Sequence, residues 1–194
     1  MAKALPPKIV MNMKKIFRIL FCACMFFSTW SVAEVLNSPE NFIRDTFSDM
    51  DEPAKREVFW LNKALKQHIK RDIDYDFHQL RVRYWGAGER TAWVLEEVGK
   101  EQPITMGVVI NKNAIEDFQI LVYRESRGDE VKHLFYRKQF FGGSLMKKGK
   151  QLRLSERIDG ITGATLSVRA TKKVAKVALF LHQRTAYASS KEKE

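Results

Sequence analysis

At Leu80 the chain changes to a two-residue hydrophobic period, and from there to Tyr123 it runs through four strand-like segments separated by turn residues. Leu80, Val82 and Tyr84 alternate with Arg81 and Arg83, Gly86-Ala87-Gly88 supplies a turn, and Thr91 to Val98 runs back. Ile104 to Ile110 is a continuous apolar run interrupted only by Gly107, and Asn111-Lys112-Asn113 hands it over to Ile115–Tyr123. Strands joined by such short turns pair antiparallel, and their apolar faces need helices or a second sheet to cover them. The expected class is therefore α+β, an antiparallel sheet of about four strands packed with helices.

Helical periodicity flanks this block. Ser38-Pro39-Glu40 reads as an N-cap with proline at the first helical position, followed by Phe42, Ile43 and Phe47, and this helix is expected to end near Asp49. Asp51 or Glu52 with Pro53 predicts a second helix, in which Ala54, Val58, Leu61, Leu65 and Ile69 form a stripe opposite Lys55, Arg56, Lys63, Lys66 and Lys70. The clearest helix comes last, with Ala170, Val174, Val177 and Leu181 on one stripe and Lys172, Lys173 and Lys176 on the other side. Between Glu125 and Gly149, glycines surround Phe135, Tyr136, Phe140 and Phe141, which predicts loops and short elements over a pocket. The expected organisation is an N-terminal helical segment over 34–77, the main domain over 78–188 and a frayed tail over 189–194.

Residues 1–33 read as an export signal: Lys14, Lys15 and Arg18 precede an apolar run from Ile19 to Trp30 that ends in Ser31-Val32-Ala33, so cleavage is expected near Ala33. The run is shorter than the roughly 20 residues of a transmembrane helix; an uncleaved anchor is the alternative. Localisation follows as periplasm or the outer face of the cytoplasmic membrane. Cys22 and Cys24 both lie inside this segment, which leaves no disulfide or thiolate metal site downstream. Five of the 34 basic residues also lie there, leaving 29 against 23 acidic residues and a net charge of +6. The basic residues after it alternate with acids, as in Glu125, Arg127, Asp129, Glu130 and Lys132, without the basic stripe and interleaved aromatics that nucleic-acid binding requires.

The segment Asp159-Gly160-Ile161-Thr162-Gly163-Ala164-Thr165-Leu166-Ser167 delivers a glycine-bearing turn, small residues and three hydroxyls to the start of the last helix. The first turn of a helix has backbone N–H groups without intrahelical partners and carries roughly half a positive charge, which suits a phosphate. Gly163 and Ala164 keep the backbone open, and Thr162, Thr165 and Ser167 offer hydroxyls to hydrogen-bond a phosphate or be esterified by it. No lysine follows a glycine as a Walker loop demands. An ordinary N-cap is the other reading of the same residues.

This run resembles the flavinylation motif of the FMN-binding domain family, Asp-x-x-Ser/Thr-Gly-Ala-Thr-x-Ser/Thr, with Asp159, Thr162, Gly163, Ala164, Thr165 and Ser167 at its fixed positions. The family includes the covalent-FMN subunits of Rnf complexes and of the sodium-pumping NADH:quinone reductase. The resemblance implies that Thr165 carries FMN through a phosphoester, installed by a flavin transferase that cleaves FAD and needs Mg2+ only for that step. Tyr123-Arg124-Glu125-Ser126-Arg127-Gly128 is similar to the family's Glu-x-x-Gly loop near the flavin, which adds Glu125 and Gly128, with Leu166 inside the motif, as cofactor-binding candidates. The resemblance covers roughly Gly107 to Leu181.

On this reading 78–188 is an FMN-binding domain, and the protein passes electrons between membrane or periplasmic redox proteins, quinone-linked or cytochrome. The alternatives are a flavin-dependent reductase acting directly on a small acceptor, and a non-covalent FMN-binding module. Trp93, Tyr123, Phe140 and Phe141 are candidates for a wall beside the flavin ring. His68, His78, His133 and His182 are dispersed without metal-ligand spacing and are expected to be surface or half-buried. No nucleophile–base pair or Rossmann glycine pattern is present, so no catalytic residue is assigned.

Overall fold

The computed structural model describes residues 33–188, so the expected export segment up to Val32 and the tail from Ser189 lie outside the described residues. The elements in chain order are β1 (Glu34–Val35), α1 (Pro39–Thr46), β2 (Lys55–Trp60), α2 (Lys63–Ile73), β3 (Arg81–Ala87), β4 (Arg90–Val98), β5 (Pro103–Asn111) and β6 (Ala114–Tyr123). Then come a 3-10 turn (Asp129–Lys132), the one-turn helix α3 (Leu134–Arg137), a second 3-10 turn (Lys138–Phe140), a hairpin of β7 (Leu145–Lys148) and β8 (Gln151–Leu154), and the long helix α4 (Thr165–His182).

The class is α+β, as the periodicity predicts. The main sheet has six strands in the order β1-β6-β5-β4-β3-β2, each pair antiparallel, and β7 with β8 makes a second small sheet. The four expected strands are its centre. The two additions are edge strands: β1, only two residues long, and β2, which replaces the first half of the expected second helix. Val58-Phe59-Trp60 is β-branched and aromatic, a composition that favours a pleated strand, and six residues of β2 pair in register with β3. Asn62 then begins α2, its side chain accepting from the Leu65 N–H at 2.8 Å, so the helical stripe holds only from Leu65 onward. At α1 the proposed start is correct: Ser38 Oγ accepts from the Asn41 N–H at 3.1 Å, with proline next.

Both faces of the sheet are covered, which explains the unbroken apolar run of β5. Phe42 of α1 packs on one face with Ala92, Val109 and Leu121; α4 packs on the other with Trp93, Leu95, Ile104, Met106 and Val108. A central strand sandwiched in this way is buried continuously, here from Ile104 to Ile110, rather than on alternate side chains. Ala170, Val174, Val177 and Leu181 of α4 are all buried, as their spacing predicts. Each such aliphatic side chain larger than alanine contributes about 1.5–3 kcal/mol by leaving water, so α4 is anchored along its length and its N-terminus is held in a fixed place above the sheet. His182, at its far end, is fully buried, against the expectation of a surface or half-buried ring.

Candidate functional site

The N-terminus of α4 opens into a cleft of about 430 Å³ lined by Lys100, Glu125, Ser126, Arg127 and the run Gly163 to Ser167. Three parts of the chain meet there: the β4–β5 turn, the loop after β6, and the turn into α4. Of the proposed residues, Glu125, Gly163, Ala164, Thr165, Leu166 and Ser167 line it directly, and Gly128 sits behind it. Asp159 and Thr162 are exposed and off its wall; the Asp159 carboxylate lies 3.3 Å from Arg157, and its N–H donates to Gln139. Lys100 and Arg127 escaped the sequence reading because cationic side chains in turns carry no periodic signal.

The helix end is open to an anion. Ala164 is the residue before the helix, it provides no side-chain cap, and the first turn holds no acidic residue. This removes the ordinary N-cap reading and leaves the first-turn N–H groups of α4 without a side-chain acceptor. Gly163 has φ +85°, a left-handed conformation that turns the chain into the helix, with open space where a Cβ would stand.

The three hydroxyls of the motif are not equivalent. Ser167 is buried, and its Oγ is 3.3 Å from the Tyr123 hydroxyl. Tyr123 spends its one proton on the Arg127 carbonyl at 2.6 Å, so Ser167 donates to Tyr123 and its hydroxyl is held inside the protein. Burial pushes the Tyr123 phenol up, which keeps it a donor. Thr162 is off the cleft. Thr165 alone is both exposed and on the cleft, at the first position of α4.

The loop after β6 is fastened at two points. Glu125 Oε1 accepts from the backbone N–H groups of Lys100, Glu101 at 2.7 Å and Gln102 at 3.0 Å, tying the loop to the β4–β5 turn and bringing Lys100 to the rim. Glu125 thus has a structural task in addition to lining the cleft. Gly128 has φ +79°, and a Cβ there would stand 3.1 Å from Ser167 Oγ and 3.2 Å from Ala164 Cβ. Gly128→Ala is expected to cost about 1–3 kcal/mol through the left-handed backbone and the close contact. It should also lower flavin occupancy by displacing the loop from the motif. Melting temperature and the flavin-to-protein absorbance ratio measure the two effects.

The four aromatic candidates for a flavin wall do not line this cleft. Trp93 is fully buried and stacked on Tyr84 at 4.5 Å, Phe140 is stacked on Phe118 at 4.4 Å within the core, Tyr123 is buried as described, and Phe141 packs against the core from its edge. In each case a large apolar side chain in this small domain goes to the interior first.

Fold and cleft together define an α+β domain that offers an uncapped helix end, flanking cations and one accessible hydroxyl to a phosphate-bearing cofactor. Residues 99–179 match the FMN-binding domain family, so the chain contains an FMN-binding domain and is a flavin-binding protein. The match begins at the β4–β5 turn and ends within α4, and it takes in every part of the cleft. A search of curated proteins finds no match to the chain. Among the described residues, no group of three or more His, Cys, Asp or Glu side chains is placed to hold a metal ion, and no helix is long and apolar enough to cross a membrane.

Proposed function

We propose that this protein is an exported electron carrier in which FMN is joined through its phosphate to Thr165. The observation that carries the reading is the position of Thr165: first residue of α4, exposed, and the one motif hydroxyl free on the cleft of an FMN-binding domain. The first-turn N–H groups of α4 would hold the phosphate, with Lys100 and Arg127 balancing its charge. Ser167, held to Tyr123, and Gly128, packed on Ala164, keep the motif and the loop in fixed relation. FMN supplies reversible electron uptake; the protein supplies attachment, orientation and electrostatics.

A tether suits a location outside the cytoplasm, where a dissociated flavin is diluted away and covalent linkage holds its local concentration high. The basic and apolar sequence up to Ala33 supports export to the periplasm or the outer face of the cytoplasmic membrane. A flavin transferase would install the FMN, and the electron partners would be membrane or periplasmic redox proteins, quinone-linked or cytochrome.

Intact mass and peptide mapping of the protein, exported from cells that co-express a flavin transferase, test the attachment. An FMN-sized increment on the peptide that holds Thr165 is expected. An unmodified chain that still binds FMN reversibly would replace this reading with a non-covalent flavin module.

A further inference from the structure

A second cleft, of about 500 Å³, lies between the end of α2, strand β8 with the loop after it, and the outward side of α4. It shares no lining residue with the cleft at Thr165. Six cationic side chains line it, Arg153, Arg157, Arg169, Lys172, Lys173 and Lys176, against only two acidic ones, Asp74 and Glu156. Elsewhere among the described residues basic and acidic side chains alternate, as in Glu125, Arg127, Asp129, Glu130 and Lys132, so this concentration is a local feature of the fold.

The cations are poorly compensated. Lys173 pairs with Glu97 at 2.8 Å and Arg157 with Asp159 at 3.3 Å, but among the described residues no carboxylate lies within ion-pair distance of Arg153, Arg169, Lys172 or Lys176. The Lys172 and Lys176 ammonium groups donate instead to the main-chain carbonyls of Ile158 and Ile73, at 2.6 and 2.8 Å. Each ammonium has three donors, so these contacts fix the heads in the wall while leaving donors for a ligand. Both lysines are half-buried. Burial, together with repulsion from Arg153 and Lys173 at Lys176, pushes their pKa values down despite the longer-range pull of Asp159 and Asp74. Charges gathered at this cost in a concave site are discharged by an anion. Leu152, Leu154 and Ile158 add an apolar surface to the same cavity.

We infer that this cleft binds a phosphate ester, with Arg153, Arg169, Lys172 and Lys176 around the phosphate and the apolar side chains against the ester's organic part. A phosphate group spreads its negative charge over several acceptor oxygens, which answers ammonium and guanidinium groups from separate elements better than a single carboxylate does. The source is either a soluble phosphate compound or the headgroup of an anionic phospholipid. This inference does not depend on flavin at Thr165.

The test uses the full mature chain with Arg153→Glu/Arg169→Glu, both exposed side chains on separate elements, and Lys63→Glu/Arg56→Glu as a charge-matched control away from the cleft. Inorganic pyrophosphate, glycerol phosphate and phosphatidylcholine vesicles with or without phosphatidylglycerol are titrated by calorimetry or co-sedimentation. Lysines 172 and 176 stay unchanged because they hold main-chain carbonyls. Saturable binding of a soluble phosphate, at least about tenfold weaker in the cleft variant than in the control, identifies a soluble ligand. The same contrast seen only with phosphatidylglycerol vesicles identifies a lipid headgroup. Equal loss in both variants, or no saturable binding to any probe, overturns the site. Unchanged melting temperature and flavin content establish that the cleft variant is folded.

Discussion

Replacing Thr165 with alanine is expected to abolish the FMN-sized mass increment completely while leaving the fold intact. No other motif hydroxyl stands ready to take its place, since Ser167 is buried against Tyr123 and Thr162 is off the cleft. The substitution is also mild for the scaffold. Thr165 is exposed, and its side chain makes no capping bond to the helix. Alanine is the better helix former, so stability should move by no more than about 0.5 kcal/mol. Loss of the flavin in a folded protein would then report the missing oxygen rather than a missing domain. Thr165→Ser restores an oxygen at the same position and should recover part of the modification, which intact mass would show. Full modification of Thr165→Ala, mapped to Thr162 or Ser167, would sink the assignment.

The same prediction shows which parts of the site the sequence makes legible. The motif is contiguous, and its turn-to-helix character depends on local chemistry, so Thr165 at a helix start is readable from glycine, small residues and the following apolar stripe. The rest of the cleft is assembled by the sheet. Lys100 reaches it only because β4 and β5 turn at one end of the sheet and Glu125 gathers three N–H groups of that turn. The roles of Gly128 and Ser167 likewise depend on a contact between residues 39 positions apart in sequence, which periodicity does not encode.

The misread segment Lys55–Trp60 has a related cause. Val58, Leu61, Leu65 and Ile69 do fall at helical spacing, but a strand followed by a capped helix produces the same list when the two elements abut. Pairing with β3 decides between them, and that partner lies more than 20 residues downstream. The aromatic side chains tell a similar story: composition shows that they are apolar, while only the fold shows that Trp93 and Phe140 are stacked inside it. The second cleft was equally hidden. In the sequence Lys172, Lys173 and Lys176 are only the side of the helix opposite its apolar stripe, and it is β8 and the end of α2 that turn that side into a wall.

Acidification is expected to soften the anchoring of α4 through His182. The ring is fully buried, its Nδ1 lies 2.7 Å from Thr91 Oγ1, and Trp93 Nε1–H donates to that same oxygen at 2.9 Å. Trp93 Nε1–H occupies one lone pair of the Thr91 hydroxyl oxygen, and the same hydroxyl meets Nδ1 of the His182 ring. The other ring nitrogen, Nε2, is a buried atom without a partner among the described residues. A charged ring is a donor at both nitrogens, and the one on Nε2 meets no acceptor in this interior. Burial accordingly pushes the His182 pKa down to about 4 from 6.5. Between those values the unfolded chain binds a proton that the folded chain does not, so stability falls as pH falls through this window and levels off below about 4. Urea unfolding at pH 7.5 and pH 4.5 should differ by about 2.5 kcal/mol on this account. His182→Phe should remove that part of the difference, while costing about 1 kcal/mol at pH 7.5, where the Thr91 hydroxyl keeps Trp93 but loses the ring nitrogen. The carboxylates held down by hydrogen bonds, Asp49 by Arg90, Asp72 by Arg71 and Asp76 by Lys70, titrate alike in both proteins and cancel. An identical pH dependence in the two proteins would mean that His182 charges freely in the folded state, and that α4 holds Thr165 equally well across the range.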